Sequence, residues 1–195
     1  MAGSHLESMD LLTAALTAIG LAACAGLRAF LPIFGIGLAA RLLHWPLPPP
    51  LDALASDTGL FIFGLATLAE LAADKIPIVD NALDAIHTVL GPLIGILAAY
   101  IPFSTLPLPY ALALAIMTGV TVAGGVHALA ATSRVKSSIL TLGIANPVLS
   151  IIEDVLALAT LVVTILAPIL LLFLLGGAIL WIRRRGRAHN PGRLN

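Results

Sequence analysis

The sequence has one cysteine, Cys24, set among alanine and glycine, so no internal disulfide can staple the chain and the residue is expected to serve packing rather than redox chemistry. Charge is equally scarce. Only 10% of the 195 residues are Asp, Glu, Lys or Arg, against about 25% in a soluble globular domain. With 59% hydrophobic residues and a mean hydropathy of +1.07, the chain reads as an integral membrane protein. A cleavable signal peptide is not expected either: the apolar run from Leu11 has no basic region before it and continues far beyond signal length. Residues 1–8, MAGSHLES, read as a cloning remnant ahead of a natural start at Met9.

What is present is a series of apolar runs, and the expected architecture is an all-α membrane helix bundle of about six crossings with broken or re-entrant helices. A single transmembrane domain is expected over 9–182, followed by a basic tail over 183–195. The run 11–43 is too long for one straight helix, at ~1.5 Å per residue, to fit a hydrocarbon core of ~30 Å. A break is therefore expected at Gly26-Leu27-Arg28-Ala29-Phe30-Leu31-Pro32. Further crossings are expected at 51–73, 79–100 (kinked at Gly91-Pro92), 110–132 and, less sharply bounded, twice within 137–182. The Pro-rich loop 44–50 carries Trp45 at an interface, and 102–109 forms an uncharged loop.

Lys75, Arg134, Lys136 and the arginines at 183, 184, 185, 187 and 193 would lie on the cytoplasmic side, with both termini inside and only Arg41 dissenting. That places the terminal basic cluster as the flank of a last span rather than a nucleic-acid surface. The lipid bilayer is the expected surrounding, and a homodimer is one open arrangement. A faint internal echo, Ala25-Gly26-Leu27-Arg28-Ala29-Phe30 against Gly124-Gly125-Val126-His127-Ala128-Leu129, suggests repeats over 9–100 and 105–182, inverted as in many transporters.

The chemistry gathers in two places. Within 70–88, Glu70, Asp74, Asp80 and Asp84 stand with Lys75, Asn81, His87 and Thr88, and on a helix Asp80, Asp84, His87 and Thr88 share one face. Carboxylate and amide oxygens suit hard cations, and a histidine admits softer divalent ions, so Glu70, Asp80, Asp84 and His87 form the candidate metal set. The same acids could relay protons. The plainer alternative is that they cap and pair helices, Asp80 as an N-cap and Lys75 with Asp74. The second place is Asn146-Pro147 with Ser150, Glu153 and Asp154, where Pro147 frees carbonyls, Asn146 bridges a helix break and Glu153 lies in a run too apolar for a surface. Arg28 either neutralises Glu70 or Glu153 or holds an anionic substrate. His127 reads as a hydrogen-bonded interior residue, and glycines 35, 37, 119, 124 and 125 as helix-packing sites.

No Walker loop, Gly-x-Ser-x-Gly elbow or His-Glu-x-x-His site occurs. Asp80-x-x-x-Asp84 matches the second half of the CDP-alcohol phosphotransferase motif, but the Asp-Gly and Ala-Arg that should precede it are absent. Enzyme activity is not expected, nor is a resident cofactor.

Gly-Leu-Arg-Ala-Phe-Leu-Pro at 26–32, Glu-x-x-x-Asp-Lys-Ile-Pro-x-x-Asp-Asn-x-x-Asp at 70–84 and Asn-Pro-x-x-Ser-x-x-Glu-Asp at 146–154 resemble a family of small bacterial inner-membrane proteins catalogued only as a domain of unknown function. That resemblance implies a location and no activity. Glu70-Leu71-x-x-Asp74-Lys75 is more distantly similar to the signature of calcium/manganese-proton exchangers, with the acids four apart instead of three. The expected function is a secondary transporter or channel-like permease for a small ion, a divalent cation coupled to protons, lined by Glu70, Asp74, Asp80, Asn81, Asp84, Asn146, Glu153 and Asp154. Two alternatives stay open: a carrier or flippase for an anionic metabolite or lipid with Arg28 as clamp, and a scaffold that transports nothing.

Overall fold

The computed structural model describes residues 2–75, 77–141, 144–168, 170 and 176–177, and among these the side chains of 2–10 and 77–84 lie outside the description. The side chains of Asp80, Asn81 and Asp84 are therefore outside the described residues, as are the basic tail and most of the second span expected within 137–182. Among the described residues seven α-helices follow one another: α1 (Ala2–Leu27), α2 (Phe30–Leu42), α3 (Asp57–Ala73), α4 (Pro77–Phe103), α5 (Leu108–Thr118), α6 (Gly124–Thr141) and α7 (Asn146–Leu166). A 3-10 turn at Leu51–Ala55 precedes α3, and a π turn at Gly119–Ala123 joins α5 to α6.

The chain is a helical membrane protein. Ala85–Phe103, Leu108–Thr141 and Asn146–Leu166 are each long and apolar enough to cross a bilayer. Their outward faces carry large side chains such as Leu129, Ile139, Leu140 and Leu158, all more than half exposed. In water such a surface would aggregate, whereas in lipid it is the solvated face. Inside, Leu21, Cys24, Ile33, Ile36, Ala98, Ala157 and Leu161 make the main core. Small residues let the backbones approach: a Cβ on Gly119 would sit 2.3 Å from Ile96 N.

The break expected near Arg28 exists, but it turns the chain rather than kinking one crossing. The helical ladder of α1 ends with Arg28 N bonding Cys24 O at 2.8 Å, and α2 starts at Phe30. Pro32 falls in the first turn of α2, where its missing N–H removes no helical bond. From there α2 runs back toward the end at which α1 begins. Leu11, Thr17, Trp45, Pro102 and Leu106 consequently line one cavity of about 690 Å³. The start of α1 thus stands beside the turn that follows α4, not at the opposite face as one broken crossing requires.

Other expectations shift as well. The fourth span does not stop near residue 132: α6 continues to Thr141 because Arg134 is buried and bonded, not a loop charge. Helix α4 begins at Pro77, so Asp80 lies in its first turn and is not the N-cap. Helix α4 contains Pro92 and Pro102 and ends at Phe103, and α5 starts at Leu108, so the uncharged loop is shorter than 102–109. The inverted repeat finds no support in the described residues. Ala18 packs with Ala111 and Ala115, while Gly26 meets Ala123, so α1 and α5–α6 run side by side in the same direction. Inverted copies would run oppositely.

Candidate functional site

The short non-helical stretch at Arg28–Ala29 leaves the first N–H groups of α2 without helical partners. Glu70, near the end of α3, supplies them. Ala29 N donates to Glu70 Oε1 at 2.7 Å and Phe30 N to Glu70 Oε2 at 3.1 Å. A carboxylate at a helix N-terminus gains from both hydrogen bonds and the helix dipole. His87 on α4 places Nε2 2.8 Å from Glu70 Oε1. His127 stands behind it, ring centroids 6.2 Å apart and edge to face, with Thr88 Oγ1 3.3 Å from His127 Nε2.

The turn that Glu70 fixes aims Arg28 into a buried network drawn from α3, α6 and α7. Arg28 Nη2 lies 2.5 Å from Asp74 Oδ2 and 2.6 Å from Asp154 Oδ1, and Nε donates to the same Asp154 oxygen at 2.6 Å. Nη2 also reaches the carbonyl and hydroxyl oxygens of Ser150 at 3.3 and 3.4 Å. Arg134 forks onto Glu153, Nε at 3.3 Å from Oε1 and Nη2 on Oε2, and its Nη2 lies 3.3 Å from Asp74 Oδ2. Lys75 Nζ closes the ring, donating to Ser150 Oγ at 2.6 Å and Asp154 Oδ2 at 2.7 Å, while Ser150 Oγ donates to Asp74 Oδ2 at 3.1 Å.

Among the described residues, three cations, Arg28, Arg134 and Lys75, thus face three carboxylates, Asp74, Glu153 and Asp154. This pairing explains how such charge survives burial, since an unpaired buried ion costs several kcal/mol. Exposure rises across the network. The side chains of Arg28 and Asp74 are 0% and 1% exposed, those of Asp154 and Lys75 22% and 37%. Arg28 Nη1 is buried and makes no hydrogen bond among the described residues.

The pairings differ from those expected. Arg28 neutralises Asp74 and Asp154, not Glu70, and approaches Glu153 only to 3.9 Å. Lys75 pairs with Asp154 across the bundle, not with its neighbour Asp74. Asn146 is the first residue of α7 and reaches back across the junction that separates α7 from α6. Its Nδ2 donates to Ser138 Oγ at 2.9 Å, apart from the network. Of the expected metal set, Glu70 and His87 meet, and among the described residues no three metal-ligating side chains converge. Arg134 was not expected in the site. Its signal is its spacing of seven from His127, which puts both on the inward face of α6.

A family model described as a domain of unknown function, DUF4126, matches residues 15–186, and the chain belongs to that family. No curated protein and no solved structure matches it.

Proposed function

We propose that the chain is a membrane carrier for an anionic solute or lipid headgroup, with Arg28 as the anion clamp. The observation that supports this most is the bare Nη1 of a fully buried guanidinium. Two unmade donor positions in a low-dielectric site cost about 1–3 kcal/mol, and an anion would recover that. The described carboxylates Glu70, Asp74, Glu153 and Asp154 are engaged by cations, a histidine or backbone N–H groups, so a divalent cation would first have to displace those partners.

The network offers a gate of stated chemistry: Lys75 and Asp154 lie at its exposed edge, where an entering anion would compete with Asp154 for Arg28 and Lys75. We place the protein in a bacterial inner membrane with the Lys136 side cytoplasmic. Because α1 and α2 form a hairpin, this puts Leu11 on the side of Ser104.

The divalent-cation, proton-coupled reading keeps one observation, the contact of His87 with Glu70, a base beside a buried acid that could pass a proton. The distant likeness to calcium/manganese-proton exchangers belongs to this second reading. Uptake into proteoliposomes separates the two. Labelled inorganic phosphate or a short carboxylate should enter with wild type and fail with Arg28→Lys, which keeps the charge and loses the fork. Calcium or manganese uptake that survives Arg28→Lys and stops with Glu70→Gln would favour the cation reading instead; no flux of either kind would leave a scaffold.

A further inference from the structure

Helix α6 is held to the bundle in two different ways. Just ahead of it, the π turn Gly119–Ala123 is clamped between α1 and α4. A Cβ on Gly119 would sit 2.3 Å from Ile96 N, one on Gly95 2.6 Å from Ala123 Cβ, and one on Gly26 2.4 Å from Ala123 O. Beyond the turn the close packing stops. Gly124 and Gly125, expected as packing sites, are not: a Cβ on Gly124 would touch Pro92 Cγ at 3.8 Å, and one on Gly125 would meet nothing within 4 Å. Among the described residues of α6, Arg134 alone is buried. The described contacts that fasten this arm are polar: Arg134 on Glu153 and Asp74, His127 with Thr88, and Asn146 Nδ2 on Ser138 Oγ. In lipid no hydrophobic force between helices supplements them.

Helices bend where a proline, a glycine pair or a π turn interrupts the ladder, and here all three meet. Pro92 offers no N–H to the ladder of α4, and it lies against Gly124. A bend of about 20° at Gly124 carries Arg134, ten residues and ~15 Å further on, through about 5 Å, enough to withdraw it from Glu153. The four residues between α6 and α7 bound the travel.

We propose that Gly119–Gly125 and Pro92 form a hinge about which the arm of α6 from Val126 to Thr141 swings, opening the buried network of Arg28, Asp74 and Glu153 to the side of the membrane that carries Lys136. Arg134 is the latch. The inference takes from the carrier reading above what the motion uncovers, whereas the motion itself needs no solute. Withdrawing Arg134 from Glu153 separates two charges that water must then solvate, so the closed arm is the favoured state.

The test is double electron–electron resonance on the full chain in lipid nanodiscs without solute, in a Cys24→Ala background. Spin labels at Leu68→Cys on α3 and Ile139→Cys on α6, both exposed, report the arm; Leu68→Cys with Ile116→Cys on α5 reports the half ahead of the hinge. The 68–139 distance should show a second component that grows with Arg134→Gln, which takes the fork from Glu153, while the 68–116 distance stays single. Alanine adds helix preference at each glycine without a clash, so Gly124→Ala/Gly125→Ala should cut the second component about tenfold and raise thermal stability. If that pair folds poorly, Gly125→Ala alone, with open space around it, should cut the component about threefold. A single 68–139 distance in both wild type and Arg134→Gln, a second component untouched by the alanines, or equal broadening of the 68–116 distance would overturn the hinge.

Phosphate uptake by proteoliposomes separates this failure from failure of the carrier reading. Uptake that falls together with the second component supports the hinge as the route of access, and uptake unchanged by the alanines overturns it. Wild type that shows the motion but moves neither phosphate nor a short carboxylate keeps the hinge and refutes the carrier.

Discussion

Arg134→Met removes one cation from the network, and the structure says which carboxylate suffers. Glu153 is 9% exposed and takes its two close contacts from Arg134; its next cation, Arg28, is 3.9 Å away and already shared between Asp74 and Asp154. Asp74, by contrast, keeps Arg28 and the Ser150 hydroxyl. The cost is therefore that of leaving Glu153 uncompensated, about 3–5 kcal/mol for a broken buried pair. At roughly 2–4 °C per kcal/mol for a chain of this size, the midpoint should fall by about 10 °C. The double variant Arg134→Met/Glu153→Leu removes both charges and should recover most of the loss, because a well-packed apolar pair is often as stable as the ion pair. Unfolding in mixed micelles titrated with denaturing detergent measures the single variants Arg134→Met and Glu153→Leu and the double variant in one cycle, with an expected coupling of ~2 kcal/mol or more. A loss under ~1 kcal/mol for Arg134→Met, or additive single effects, would refute the reasoning.

Glu70→Ala strips the acceptor from two backbone N–H groups and should cost about 1–3 kcal/mol, with Glu70→Gln in between; hydrogen exchange at Ala29 and Phe30 should speed up in the same order. Gly119→Ala drives a methyl to within 2.3 Å of the Ile96 nitrogen, so α4 must shift; a loss of about 1–3 kcal/mol is expected in the same unfolding assay. Cysteines placed at Leu11 and Ser104 should label from one side of the membrane and a cysteine at Ser137 from the other, in a background where Cys24 is buried. Labelling of Leu11 together with Ser137 would contradict the α1–α2 hairpin.

Much of this site is legible in the sequence one residue at a time. Arg28, Asp74, Glu153 and Asp154 are conspicuous because each is a charge in an apolar run, and lipid makes such charges expensive. The break at Gly26–Pro32 is legible for the same reason: a long apolar run holding Gly, Arg and Pro cannot continue straight. Its direction is not. Whether a break kinks or reverses a helix depends on what receives the freed N–H groups, here a carboxylate 41 residues away. Partner choice is hidden likewise, since Lys75 pairs with Asp154 across 79 residues while its neighbour Asp74 turns to two arginines. Arg134 escapes notice because a basic residue near a helix end reads as a topology signal, and only the longer reach of α6 shows it facing inward.

The measurement closest to the central claim is thermal stability of the purified protein across anions and divalent cations, for wild type, Arg28→Lys and Asp84→Asn. A ligand that binds only the native state at a hundredfold excess over its dissociation constant adds about 2.7 kcal/mol. The clamp account predicts a rise with inorganic phosphate or a carboxylate that Arg28→Lys abolishes and Asp84→Asn leaves intact. A rise with calcium or manganese that Asp84→Asn abolishes and Arg28→Lys spares would contradict it.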